Sequence, residues 1–255
     1  MEGAATHFER LLREHLAETR DRLEKIRERV GGNGTRVSHM VIDGFADSGL
    51  AKAAEELDAD LVIVGTHGRH GLDRFLLGSV AERVVRLSSR SVMVARGDAK
   101  AAGGFRRILV PVDFSEISDR VLDTAYAMAA RDATVHVFNV WELPGANWTT
   151  YDTQHAKGGE LREETTAAVV TAGAALIERN APPKDVSVGF SAMENTASRG
   201  IQNRLDAQSY DLVVTGSHGR RGLRRFMLGS VAEATVRYAP CSVIVVHPKN
   251  REEKK

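Results

Sequence analysis

The sequence predicts an α/β protein, and two observations carry that prediction. Short apolar segments alternate with segments of helical periodicity, which is typical of a parallel sheet covered by helices on both faces. The segments Ile108–Val112 and Leu212–Val214 are continuous apolar runs, as expected of strands buried on both faces. A content of 42% apolar and 27% charged residues suits a globular chain with a substantial core. We therefore predict a doubly wound parallel sheet.

Composition narrows the classes of function. The 35 Lys and Arg residues balance 34 Asp and Glu residues, so net charge gives no general attraction to nucleic acid or membranes. Cys241 is the only cysteine, which excludes an intramolecular disulfide and favours a small buried residue over a reactive thiol. No apolar run approaches the roughly 20 residues that span a bilayer, and the N-terminus is too charged for a signal peptide. We expect a soluble cytoplasmic protein with neither nucleic acid nor membrane as partner.

The first half of the chain is predicted to hold three helices and three strands. Apolar periodicity, with glycines as stops, marks each of them. The helices are expected at about Thr6–Val30, Leu50–Leu57 and Val80–Leu87, and the strands at Arg36–Asp43, Leu61–Val64 and Val92–Ala95.

The second half opens with a strand that the first half lacks. Ile108–Val112 ends in Pro-Val-Asp, and Ser115 is predicted to start a helix. The elements expected next are a strand at Thr134–Val140, a helix at Glu160–Arg179, a strand beginning at Asp185–Phe190, the strand Leu212–Val214 and a terminal strand around Val243.

One glycine-rich segment occurs twice. Val214–Glu233 reads VTGSHGRRGLRRFMLGSVAE and Val64–Glu82 reads VGTHGRHGLDRFLLGSVAE, both with the spacing Gly-x2-Gly-x9-Gly-Ser. The copies lie 151 residues apart, the separation of Gly65 and Gly216. At that offset the first repeat has no counterpart of about residues 105–151, which is one strand, one helix and a second strand. We expect an incomplete domain at residues 1–98 and a complete one at 105–248.

The glycine segment has the features of a phosphate site. Ligands of doubly wound sheets lie beyond the carboxyl ends of the strands, where glycine lets the backbone approach closely. Gly229-Ser230 opens a helix, whose free N–H groups favour an anion, and His218 and Arg220 could add donors. The loop lacks the Gly-Lys-Ser/Thr ending of a P-loop, so backbone groups would do most of the binding.

A purely structural interpretation of the same residues stays open. Ser230 with Glu233, and Ser79 with Glu82, have the spacing of a capping box, so each serine could do no more than cap its helix. Asp113, at the end of a strand, could accept from a ribose or a base. It could equally be an ordinary Asp before a helix that Ser115 caps. No metal-ligand cluster and no Ser-His-Asp spacing is evident.

These residues resemble a known family. The pattern Gly-x2-Gly-x9-Gly-Ser after an apolar strand is similar to the adenine-nucleotide signature of the universal stress protein family. Pro111-Val112-Asp113-Phe114-Ser115 resembles the first-strand motif of that family. The resemblance implies a five-stranded parallel sheet of order 3-2-1-4-5 in the second repeat, with a truncated copy in the first. It also implies a homo-oligomer or an intramolecular pseudo-dimer.

The resemblance further implies ATP as the ligand, with or without Mg²⁺. Three groups of residues would bind it. The adenosine would contact Pro111, Val112, Asp113 and Val140; the ribose and phosphate path would follow Gly216, His218, Gly219 and Arg220; and the phosphates would meet Gly229, Ser230 and Val231.

The first repeat departs from the family pattern. It keeps Gly65, Gly68, Gly78 and Ser79 but has neither the Asp motif nor the strand that would contact the base. In the family order, its missing strands would separate strand 3 from strands 4 and 5. We expect this half to rearrange, to borrow from a partner, or to reflect a chain that begins late, and we expect one working site, in the second repeat.

The leading hypothesis is an ATP-binding stress-response protein that senses or regulates. Its motifs contain no evident general base or metal-carboxylate pair, so at most slow hydrolysis is expected. One alternative is a weak ATPase or adenylyl-transfer enzyme, against which the missing His-x-Gly-His motif counts. A second alternative is an interaction or dimerisation protein that binds no nucleotide.

Overall fold

The computed structural model describes residues 2–31, 34–66, 77–97, 103–143, 155–219 and 228–248. By its internal contacts the chain divides into two units, Met1–Phe45 and Ala46–Lys255. All of the strands in the described residues belong to the second unit.

The first unit is a long helix followed by extended chain. Helix α1 spans Glu2–Val30 and carries exposed ion pairs one turn apart, such as Lys25 with Asp21 at 2.7 Å. The prediction of a strand at residues 36–43 is wrong, because this stretch pairs with no strand. Its apolar side chains are left in solvent, with Met40 exposed at 52% and Ile42 at 46%. A strand needs a neighbour for its backbone hydrogen bonds, and the neighbour that the family order would supply is missing from this repeat.

The second unit alternates helices and strands as predicted. Six helices are described in it: α2 Ala46–Glu56, α3 Ser79–Leu87, α4 Ser118–Met128, α5 His155–Arg179, α6 Ala197–Ala207 and α7 Ser230–Tyr238. Seven strands accompany them: β1 Leu61–Gly65, β2 Ser91–Ala95, β3 Phe105–Val112, β4 Ala129–Trp141, β5 Val186–Glu194, β6 Leu212–Gly216 and β7 Ser242–Val246.

All seven strands form one sheet, of order β1-β2-β7-β6-β3-β4-β5. The α/β prediction is confirmed, and within the second repeat all neighbouring strands are parallel. Numbered within that repeat, its strands lie in the order 3-2-1-4-5. The expected five-stranded sheet is enlarged by two strands, because β1 and β2 of the first repeat join it at β7.

The two repeats meet along an antiparallel pair of strands. β2 pairs with β7 in the register Val92↔Val245, Met93↔Ile244 and Val94↔Val243. Two side-chain hydrogen bonds flank the pair: Ser242 Oγ accepts from the N–H of Arg96 at 3.1 Å, and Ser91 Oγ accepts from that of His247 at 3.4 Å. Both bonds link equivalent positions of the two repeats, so the junction has local pseudo-two-fold symmetry.

A charge network crosses the same junction. Glu82 and Arg86 of α3 face their repeat equivalents Glu233 and Arg237 of α7, with Arg86 2.8 Å from Glu233 and Arg237 3.4 Å from Glu82. These side chains are between about a third and a half exposed, so each pair contributes at most about 1 kcal/mol. The network orients the two helices more than it stabilises them.

Helices pack on both faces of the sheet. One core places α4 and α5 against it through Val121, Leu122 and Leu176. The core on the other face contains Val84, Ile201 and Val236, from α3, α6 and α7 respectively. This arrangement is that of a doubly wound sheet.

The β1 edge is less well covered than its counterpart. Ile63 of β1 is 63% exposed, whereas the equivalent Val214 of β6 is fully buried. Leu50 of α2 is 40% exposed against 4% for the equivalent Ile201 of α6. In the second repeat β3, β4 and α4 supply this cover, and the first repeat has no counterpart of them.

Candidate functional site

The candidate site lies where the chain changes direction across the sheet. β3 pairs with β4 on one side and with β6 on the other. The segments that leave the carboxyl ends of β3 and β6 therefore diverge over a crevice, which is where doubly wound sheets bind ligands. Asp113 follows β3, and the glycine segment follows β6.

Asp113 is held in a tight local turn. Its Oδ1 accepts from the backbone N–H of Ser115 at 3.1 Å and from the hydroxyl of Ser115 at 2.6 Å. Phe114 between them has a φ of 60°, a left-handed conformation rare for an aromatic residue. The N-cap of α4 is Ile117, so Ser115 does not cap that helix. The predicted capping of this helix by Ser115 is therefore wrong, whereas the local turn leaves a structural role for Asp113 open.

Gly219 lies directly against Asp113. A Cβ added at Gly219 would stand 2.7 Å from Asp113 Oδ2, closer than nonbonded atoms approach. The structure thus brings together the two most specific motifs of the sequence, which are more than 100 residues apart. Any side chain at position 219 would displace the carboxylate or fill the space beside it.

Gly216, in contrast, is required by the packing of α4 on β6. A Cβ there would lie 2.9 Å from Cγ2 of Ile117, the residue that precedes α4. The glycine is needed so that the start of α4 can rest on the end of β6. A sequence pattern cannot distinguish this requirement from close approach to a ligand.

Gly229 begins α7 and is tied to the end of β6. Its N–H donates to the carbonyl of Ser217 at 2.8 Å, and a Cβ on it would lie 3.1 Å from that same oxygen. Gly229 is therefore the N-cap of α7, and the predicted capping box of Ser230 and Glu233 is wrong because no side chain caps this helix. By helix geometry the N–H groups of Ser230 and Val231, in the first turn, need acceptors from outside the helix.

One ring nitrogen of His218 is buried without a hydrogen-bond partner among the described residues. Its Nδ1 is 2.9 Å from Oγ of the fully buried Ser217. Its Nε2 is buried and has no hydrogen-bond partner among the described residues. Buried polar atoms are almost always paired, so this atom needs a partner from outside the described residues.

Beside Pro111 and Val112 the structure places Asn139, a residue that the sequence motif does not include. Pro111 and Val112 are buried in β3, and Asn139 Nδ2 of β4 donates to the carbonyl of Val112 at 2.8 Å. Asn139 Oδ1 is buried without a partner among the described residues. Val140 packs on α6, where a Cβ at Gly200 would come within 2.7 Å of its methyl groups. Asn139 interrupts the apolar end of this strand, Val137–Val140, and that interruption was the available signal.

The first repeat has the same hydrogen bond between the start of its glycine-led helix and the end of the preceding strand. The N–H of Gly78 donates to the carbonyl of Thr66 at 2.9 Å, as Gly229 does to Ser217. Gly65 ends β1, while Gly68 lies outside the described residues, as does Arg220 of the second repeat. The described part of the chain holds no group of three or more His, Cys, Asp or Glu side chains placed for a metal. No described helix is long and apolar enough to cross a bilayer.

Comparison with characterised sequences gives relatives of one kind. A universal stress protein of Mycolicibacterium smegmatis is 31% identical over 199 residues, covering 75% of this chain and 63% of the relative. One from Mycobacterium tuberculosis is 31% identical over 198 residues, covering 74% of this chain and 62% of the relative. The chain thus spans a little under two thirds of the length of each.

Solved structures agree on the fold. The crystal structure of a universal stress protein from Archaeoglobus fulgidus superposes with a TM-score of 0.59 at 21% identity, covering 94% of this chain and 80% of that one. The sequence profile of the universal stress protein family matches residues 2–96 and again residues 104–247. The chain therefore belongs to the universal stress protein family, with two copies of the family's domain in tandem.

Proposed function

We propose that this chain binds an adenine nucleotide, ATP in the first place, and acts as a stress-response sensor or regulator rather than a fast catalyst. The site is the crevice between β3 and β6 in the second repeat, for which we propose the bounds 105–248. One observation carries the proposal: Gly219 approaches the carboxylate of Asp113 so closely that a Cβ there would stand 2.7 Å from Oδ2 and force the carboxylate to move.

The geometry supports a division of roles within the site. Asp113 can accept from the hydroxyl groups of a ribose, as acidic residues near the end of a strand do in related sheets. The N–H groups of Ser230 and Val231 can donate to phosphate oxygens, aided by the positive end of the α7 dipole. Gly229 contributes by position alone, because its own N–H is bound to Ser217.

His218 and Asn139 complete the proposed polar lining. The Nε2 atom of His218 and the Oδ1 atom of Asn139 are both buried without partners in the described residues. Each would gain a hydrogen bond from a ligand, and an unmade buried hydrogen bond costs about 1–3 kcal/mol. If Mg²⁺ accompanies the nucleotide, phosphate oxygens and water would supply most of its ligands, as is usual for this ion.

The way in which Asp113 is held supports a binding role. Its Oδ1 already accepts two hydrogen bonds from Ser115, which orient the carboxylate. A carboxylate so oriented can hold a ligand hydroxyl in one position. We expect phosphate release from ATP to stay slow under conditions that saturate the site.

The test is calorimetric titration of ATP into the full chain and into Gly219→Ala. The added methyl group would displace the Asp113 carboxylate, so the affinity should fall at least tenfold, about 1.4 kcal/mol. Gly159→Ala is the matched control, because a Cβ at Gly159, in α5, meets nothing within 4 Å. It should bind ATP as the wild type does.

Two results would overturn the proposal. If the wild-type chain binds none of ATP, ADP and AMP, the proposal of an adenine nucleotide as ligand is wrong. If wild type and Gly219→Ala bind ATP with equal affinity, the proposed location of the site beside Asp113 is wrong. Titration with and without a chelator decides whether Mg²⁺ takes part.

A further inference from the structure

A groove lies at the opposite end of the sheet from the nucleotide site. It has a volume of about 100 Å³ and is bounded by the amino-terminal halves of the β3 and β4 ladder, by β5 and by the segment before β6. Its polar lining is formed by Arg107, Thr134, His136, Gln208 and Tyr210, with Gly189 at its edge. The groove lies on the α6 face of the sheet. Side chains two residues apart in a strand share a face, so His136 lies on the same face as Phe138, and Arg107 on the same face as Leu109. Both Phe138 and Leu109 belong to the core on the α6 side.

Gly189 opens the groove without a structural reason to be glycine. It lies within β5 opposite His136, and its φ is outside the left-handed region. A Cβ placed there would meet nothing within 4 Å, so crowding does not exclude a side chain. Glycine inside a strand costs stability, and it often marks the place where another group approaches the sheet.

A hydrogen-bond chain sets the tautomer of His136. The hydroxyl of Tyr210 donates to Gln208 Oε1 at 2.8 Å, so its oxygen must accept from His136 Nδ1, 2.6 Å away. His136 Nε2 then accepts from the hydroxyl of Ser191 at 2.8 Å. Arg204 Nη2 donates to the same Ser191 oxygen at 3.1 Å. These bonds hold the imidazole in place at the wall of the groove.

The charges around the groove are positive. Arg107 stands over the ring of Tyr210 at 6.0 Å, and Arg204 stands over that of Phe138 at 4.7 Å. Among the described residues that line the groove there is no carboxylate, and the nearby carboxylate of Asp211 accepts from the backbone N–H of Arg107. Burial lowers the pKa of His136, and the charge of Arg204 lowers this pKa further.

We propose that this groove is a second ligand site, which binds a small oxyanion, a phosphate or a carboxylate group, on Arg107 and the Thr134 hydroxyl beside Gly189. A volume of about 100 Å³ suits such a small group and lies well below the roughly 300–1,000 Å³ of pockets that enclose drug-sized ligands. The site is independent of the nucleotide site, since it lies at the other end of the strands and shares no residue with it.

NMR of the full chain with ring-labelled histidine tests the proposal. The pKa of His136 is followed while sodium phosphate, or sodium acetate, replaces sodium chloride at constant ionic strength, and His136→Gln identifies the resonance. A bound anion stabilises the imidazolium, so the pKa should rise saturably, by about one unit. The anion that raises the pKa of His136 at the lower concentration shows whether the site prefers a phosphate or a carboxylate group.

Two matched variants locate the effect. Arg107→Gln should abolish the rise, whereas Arg106→Gln should keep it, because Arg106 is equally exposed and lies on the opposite face of β3. Gly189→Val should fill the groove and abolish the rise while leaving the urea midpoint unchanged or higher. The proposal fails if neither anion moves the pKa of His136, or if the rise survives in Arg107→Gln or in Gly189→Val.

Discussion

Two glycines of one loop have different reasons to be glycine. Gly216 makes room for Ile117 at 2.9 Å, and Gly219 makes room beside Asp113 at 2.7 Å. The first contact belongs to the core of the fold and the second to the crevice. The Asp113 carboxylate is half-buried and bonded to Ser115 in the contacts described above, so it can shift, whereas a side chain packed between a helix and a strand cannot.

Substitution by alanine should separate the two roles. Gly216→Ala should lower the free energy of unfolding by about 1–3 kcal/mol, because it overpacks the start of α4. Gly219→Ala should change that free energy by less than about 0.5 kcal/mol. Urea unfolding followed by far-UV circular dichroism measures both. Equal losses in the two variants would contradict this division.

At the scale of elements, the junction of β2 and β7 joins the repeats, and His247 lies at its end. His247 is 8% exposed, and its backbone N–H reaches Ser91 across the junction. Burial lowers its pKa from 6.5 to about 4, with smaller contributions from His218 and Arg120. The ring is thus buried in its neutral form.

This burial predicts a pH dependence of stability. Between pH 6.5 and about 4 the unfolded chain binds a proton at His247 that the folded chain does not bind, so acidification favours unfolding. The full loss, reached below about pH 4, is at most about 3 kcal/mol. Urea unfolding from pH 7.5 to 4 should show it, and His247→Phe should flatten the curve by that amount. Parallel curves for the two proteins would contradict the prediction.

At the scale of the whole molecule, all the strands described in the second unit belong to one sheet. Val92 and Val94 of β2 are fully buried, as are Val243 and Val245 of β7, so the strands on both sides of the junction share a core. β1 is the outer strand of the sheet and keeps Ile63 63% exposed. We therefore expect the strands of both repeats that meet at this junction to unfold together.

Hydrogen exchange should report that cooperativity. The amides of β2 should exchange with the same opening free energy as those of β7, near the global value, because neither strand can leave without opening the shared core. The amides of β1 should exchange faster. Mass spectrometry of peptides from these strands measures the difference. Exchange of β2 well before β7 would show instead that the first repeat opens independently.

The sequence by itself determined the α/β class, the repeat, the glycine segments and the position of Asp113 at the end of a strand. These depend on local periodicity and on the amino acids at turns, which act over a few residues. The same local signals wrongly predicted the strand at residues 36–43 and the capping box of Ser230 and Glu233. The stretch has strand composition but no neighbouring strand, and Glu233 pairs with Arg86 of the other repeat.

Only the tertiary structure decided how the repeats join and what each glycine accommodates. The antiparallel pairing of β2 with β7 depends on which strand edges remain open once the second repeat has folded, and no local pattern encodes that. Likewise, Asp113 meets Gly219 because β3 and β6 are neighbours although more than 100 residues separate them. Contacts between distant parts of a chain are set by how its whole sheet and core pack, and this is the information that a single sequence holds only implicitly.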